Sequence, residues 1–156
     1  MIIGFEEAQG EIEEAAAIDL HWFAPPERKQ FLGAAVLSAF ASLLLSAFLA
    51  GFKDAVEKKA REAGKKTAEY LLEAITDLFS GKKESQAKKE LEKRANEAVH
   101  VAADLTEEQL ANILTNVEEA LKTALQKKLS SKQAEKLAGS VRQSVHKHVL
   151  SKRGRK

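Results

Sequence analysis

Apolar residues run without a break from residue 31 to residue 52, FLGAAVLSAFASLLLSAFLAGF, with serine as the only polar type and neither charge nor proline. A helix of that length rises about 33 Å, enough to cross the roughly 30 Å hydrocarbon core of a bilayer with a modest tilt. A helix that is apolar on every side belongs either in lipid or in the middle of a large protein. A chain of 156 residues buries only about two-thirds of the surface of its unfolded form. Its other helical stretches offer narrow, alanine-rich faces, so the pattern favours a transmembrane helix over a core helix wrapped by the rest of the chain. A removable signal peptide fits less well, because thirty Glu-rich residues precede the run and the run is longer than an h-region.

On both sides the pattern changes to a helical period. Upstream, Ile2, Phe5, Ala8, Ile12, Ala16, Leu20 and Phe23 recur at three or four residues with glutamates between them, as in an amphipathic helix, and Pro25 and Pro26 end it. Downstream, Val56, Ala60, Ala63, Thr67, Tyr70, Leu71, Ala74, Ile75 and Leu78 keep helical spacing. The apolar helix is therefore expected to continue as one rod over about 31–79, about 70 Å long, until Gly81, which suits the left-handed position past a helix C-terminus. A weaker stripe, Ala87, Leu91, Ala95, Ala98, Val99 and Ala102, predicts a helix over about 86–103. Thr106 to Gln109 and Ser130 to Gln133 both have capping-box spacing. The first precedes the stripe Leu110, Ile113, Leu114, Val117, Leu121, Ala124 and Leu125, and the second precedes Ala134, Leu137, Ala138, Val141, Val145 and Val149.

The expected fold class is all-α: an N-terminal amphipathic segment at 1–26, a single transmembrane helix at 27–52, a helical extension of it at 53–80, and a cytoplasmic helical domain with a basic tail at 81–156. Short connections in the last part favour antiparallel neighbours in a bundle of three or four helices.

Charge refines the placement. The overall +2 hides an asymmetry: the first 30 residues carry seven acids against Arg28 and Lys29, a balance of −5, which leaves +7 for the remainder. Lys53, Lys58, Lys59, Arg61, Lys65 and Lys66 follow the apolar run, and the positive-inside rule puts that flank in the cytoplasm. Trp22, Phe23, Arg28, Lys29 and Lys53 are the expected membrane-boundary residues, aromatic rings and cations both favouring the headgroup level. The absence of cysteine excludes disulfides and thiolate chemistry.

Within the run, Ala34, Ser38, Ser42, Ser46 and Ala50 stand at every fourth position. Small residues at that spacing let helices approach closely in lipid, so the row is read as a helix–helix interface of a homo-oligomer, or as the lining of a pore with stacked hydroxyls. Serines bonding to their own carbonyls four residues back would make the row inert. Chemistry is sparse elsewhere. Glu97 and His100 have Glu-x-x-His spacing, but no second pair completes a carboxylate metal site, and His146 and His148 point apart on a helix. No phosphate loop and no supported Ser/His/Asp set occurs, so neither an enzyme nor a cofactor is expected. Arg142, Lys147, Lys152, Arg153, Arg155 and Lys156 could contact anionic lipid or another anionic ligand. Nucleic acid is not favoured, because no aromatic residue is interleaved with these cations for base stacking.

The expected function is that of a membrane protein that self-associates and forms a pore or membrane-disrupting assembly under control of its helical domain, with the lipid bilayer as its first partner. Two alternatives stand beside it: an anchored scaffold that recruits a protein partner, and a helical bundle that hides the apolar helix until triggered. Behaviour in water without detergent separates the last from the others.

Overall fold

The computed structural model describes residues 4–16, 34–58, 61–81, 85–102 and 105–150. Among them the chain is all-helical: α1 (Phe5–Ala16), α2 (Ala34–Lys58), α3 (Arg61–Ser80), α4 (Gln86–Ala102), α5 (Glu107–Leu125) and α6 (Ser131–Ser144), which runs on into a π-helical turn at Val145–Val149.

Helix ends follow local chemistry. The Thr106 hydroxyl accepts from the Gln109 N–H at 3.1 Å and the Gln109 side chain accepts from the Thr106 N–H at 3.0 Å, so two otherwise orphan donors at the head of α5 are satisfied reciprocally. Ser130 and Gln133 repeat the arrangement at the head of α6, with both backbone donors at 3.2 Å. Ser85 caps α4 by accepting from the Lys88 N–H at 3.2 Å. Gly81 takes φ of +85° after α3 and its N–H donates to the Leu78 carbonyl at 3.3 Å, the left-handed closure that a residue without Cβ adopts at little cost.

The arrangement has α2 at its centre. It packs against α1, α3, α4 and α5, and more lightly against α6, with its broadest contact on α4. Phe40, Leu43, Leu44, Leu45, Phe48, Leu49 and Phe52 are all fully buried, each stabilising the fold by about 1.5–3 kcal/mol through removal of apolar surface from water. The covering helices turn alanines toward the core, among them Ala74, Ala87, Ala95, Ala98, Ala134 and Ala138. This overturns the expectation that alanine-rich faces could not wrap the run. Small side chains shorten the distance between helix axes, so thin helices cover a thick one whose own phenylalanines and leucines fill the space.

The expected single rod over 31–79 is not formed. Helix α2 ends at Lys58, α3 begins at Arg61, and the two pack against each other. The Thr67 hydroxyl donates to Asp54 at 3.1 Å across thirteen positions of sequence, which on one continuous helix would lie about 20 Å apart. Gly64 stands inside α3 without interrupting it.

Candidate functional site

The stretch Ser38–Glu57 of α2 is long and apolar enough to cross a membrane, and 67% of it is buried inside the bundle. Its row of small residues is used within the chain. Ser38 accepts a hydrogen bond from the Gln9 side chain of α1 at 2.6 Å, Ser42 is half-buried, and Ser46 and Ala50 are buried. Ala34 opens the helix, and its side chain lies outside the described residues.

Polar groups fasten both ends of this helix. At its C-terminal end Asp54, a carboxylate only 3% exposed, receives the Thr67 hydroxyl and the Arg94 guanidinium of α4 at 3.0 Å. Arg94 also donates to Glu90 at 3.1 Å, and its guanidinium carbon lies 5.5 Å from the centre of the Tyr70 ring. Burial opposes the charge on Arg94, and the Glu90 hydrogen bond together with the field of Asp54 outweighs it, so its pKa rises. A buried ion pair of this kind adds little net stability but is costly to break from one side, because the other charge is left behind unpaired. Lys53, expected at a membrane boundary, pairs with Glu57 at 3.0 Å and with Glu97 of α4 at 3.2 Å. Glu97 is thus an ion-pair partner, while the His100 side chain lies outside the described residues.

At the other end α1 lies as a strap across α2, α6 and the π turn. Its apolar side, Ala8, Ile12 and Ala16, is fully buried, while Glu6 and Glu7 face solvent. Glu11 accepts from the Ser144 hydroxyl at 2.9 Å and from Lys147 at 3.3 Å, and its carboxylate lies 2.8 Å from the His148 ring nitrogen Nε2. These contacts, His148 foremost and Ser144 next, pull the Glu11 carboxyl down to a pKa of about 2. The wider π turn adds a residue to the last coil, and Ser144, Lys147 and His148 all converge on one carboxylate. Gly4, with φ of +85°, lets the chain pass against the His148 carbonyl, where a Cβ would overlap the oxygen.

Of the six cations read as anionic-ligand contacts, the described ones are paired internally: Arg142 with Glu118 at 2.8 Å and Lys147 with Glu11. Lys152, Arg153, Arg155 and Lys156 lie outside the described residues, as do Trp22, Phe23, Arg28 and Lys29. Among the described residues no three His, Asp or Glu groups gather as metal ligands. The fastening residues that sequence reasoning missed are Gln9, Glu11, Asp54 and Arg94. Only Asp54 left a trace, as the first acid after the apolar run.

No family model matches the chain, and neither a curated protein nor a solved structure matches it.

Proposed function

We propose that the protein is a helical bundle that sheathes a membrane-competent helix and yields it to a bilayer when the α1 strap lets go. The observation that carries this reading is the coincidence in α2 of spanning length, all-round apolar character and burial inside one chain. Lipid tails are as apolar as the leucines and phenylalanines that now cover α2, so its apolar side chains lose little on moving from bundle to bilayer. What opposes the transfer is polar. The Glu11 cluster and the Gln9–Ser38 bond hold the strap, and the Asp54–Arg94 pair holds the far end. Lys53, Asp54 and Glu57 follow Phe52, where they would stop the span at the headgroup level.

Once free of the strap, Ser38, Ser42, Ser46 and Ala50 present a small-residue row to a second copy of α2, which supplies the homo-oligomer and the pore-forming or membrane-disrupting step. The positively charged flank after α2 stays on the side from which the helix entered.

Dye-loaded vesicles of phosphatidylcholine and phosphatidylglycerol test the reading. Ile12→Ala removes a fully buried anchor of α1 and is expected to raise both dye release and the fraction resisting an alkaline carbonate wash several-fold over the parent. Adding Ser42→Lys, at a half-buried position of α2, should abolish both, since a cation at the centre of a span costs about 2.5–3.5 kcal/mol on insertion scales. Hydrogen exchange confirms separately that α1 has loosened. A loosened strap with no membrane-bound protein, or release that persists with Lys at position 42, would leave α2 as a core helix only.

A further inference from the structure

A cavity of about 770 Å³ opens between α2, α3 and α5, and Thr67, whose hydroxyl donates to Asp54, forms part of its lining. It exists because three helices place small residues at one level: Ala47, Gly51 and Ala55 of α2, Ala68 of α3, and Ala120 and Ala124 of α5. Leu105, from the connection into α5, adds a further wall, so the space is concave and not a bare helix face. Its volume falls within the roughly 300–1,000 Å³ of small-molecule sites, which are mostly apolar with a few polar groups that fix orientation.

The polar groups at this cavity are uncharged among the described residues. Thr67 of α3 brings a hydroxyl already donated to Asp54, and α5 contributes three carboxamides, Gln109, Asn112 and Asn116. Gln109 is engaged in the capping box. Asn112 and Asn116 are four apart in the middle of α5, exposed, and not hydrogen-bonded to another described residue. Asparagine is a poor residue for a helix interior unless it caps or bonds locally, and neither of these does.

We infer that this cavity is a binding site for a small, uncharged, largely apolar molecule that exchanges hydrogen bonds with the carboxamides of Asn112 and Asn116. A charged ligand would be desolvated there with no counter-ion among the described lining residues. A neutral ring or short chain bearing an amide, hydroxyl or amine satisfies both halves of the site, since a carboxamide donates and accepts. The site does not depend on α2 leaving the bundle. If α2 does leave, a molecule that touches α2, α3 and α5 together binds only the closed form and stabilises it by mass action.

Titration with N-phenyl-1-naphthylamine, an uncharged arylamine joining a naphthyl and a phenyl group that fluoresces strongly only away from water, tests the site on the full chain in detergent-free buffer. Saturable enhancement at one probe per chain is expected. Ala120→Trp fills the cavity and should weaken the probe at least tenfold. Asn116→Trp, at an exposed position of its mouth, should do the same with no core residue changed, which keeps the test valid if the first variant fails to fold. Lys132→Trp, an exposed control on α6, should bind as the parent does. Absence of saturable binding by the folded parent, or parental affinity in a folded Ala120→Trp or Asn116→Trp variant, overturns the assignment.

Discussion

Helix α2 and the α5–α6 hairpin are held in shape by opposite means. The hairpin carries its instructions locally: a capping box opens each helix, the stripe of Leu110, Leu114, Val117 and Leu121 is buried, and Glu107, Glu108, Thr115 and Glu119 face water. Helix α2 has almost none of this. Its described side chains from Leu43 to Phe52 are all buried, no charged stripe sets one face apart, and its first turn carries no acidic residue to complement the helix dipole. What tells α2 where to lie is the set of helices around it, together with a few polar contacts at its two ends. An amphipathic helix states which side is inside, whereas a uniformly apolar one states only that it must be covered. The same residues therefore suit a bilayer and a bundle.

Four tests would break or sharpen that contrast. The largest effect is expected from Phe48→Ala, which empties a fully buried site in the central helix and should cost about 3–5 kcal/mol in urea unfolding, against about 2–4 kcal/mol for Leu114→Ala in α5. A smaller loss at Phe48 than at Leu114 would mean that α2 is not the centre of the packing.

Next comes the clamp. Asp54→Ala takes the buried carboxylate from the Arg94 guanidinium, whose side chain is 16% exposed, and leaves it paired with Glu90; it should cost up to about 3 kcal/mol by the same measurement. The double change Asp54→Leu with Arg94→Met should recover most of that loss, because it removes both charges and fills the space.

The caps are expected to matter locally. Thr106→Ala and Ser130→Ala should each cost about 1 kcal/mol. The change should show as faster amide exchange in the first turns of α5 or α6, with α2 unaffected.

The smallest effect concerns Glu11. Its pKa is held down at about 2 from an ordinary 4.5, so its contribution to holding α1 is complete above pH 4.5 and is lost as pH falls from there to about 2. Glu11→Gln has no carboxylate to protonate. The urea midpoint of the parent should stand above that of the variant by a constant margin from pH 7 to pH 5, and the two should converge by pH 2. Convergence already at pH 5 would show that His148 and Ser144 do not hold the carboxylate as described. Mild acidity alone leaves this part of the strap closed.

The sequence was most legible where the physical signal is short in range. Both capping boxes, the positive φ at Gly81 and the helices over Gln86–Ala102 and Glu107–Leu125 follow from residues within a few positions of one another. The break between α2 and α3 was not legible. Lys58, Lys59, Ala60 and Arg61 include no proline or glycine, and it is the packing of α3 back onto α2 that separates them. The small-residue row was recognised for its ability to bring helices close, and here Ser38 bonds Gln9 of α1 while Ser46 and Ala50 are buried. The Glu11 cluster lay beyond reach, since its partners are more than 130 positions away and an acid on an amphipathic helix is ordinarily a solvated one.

Helical class, the apolar character of residues 31–52 and the start of each C-terminal helix were set by composition, period and capping, all of which act over one or two turns. Which surface covers the apolar helix, where its buried carboxylate finds a cation, and where small residues of three helices leave a cavity were decided only when the helices met. Those outcomes depend on the distance between helix axes and on contacts remote in sequence, which no local pattern encodes.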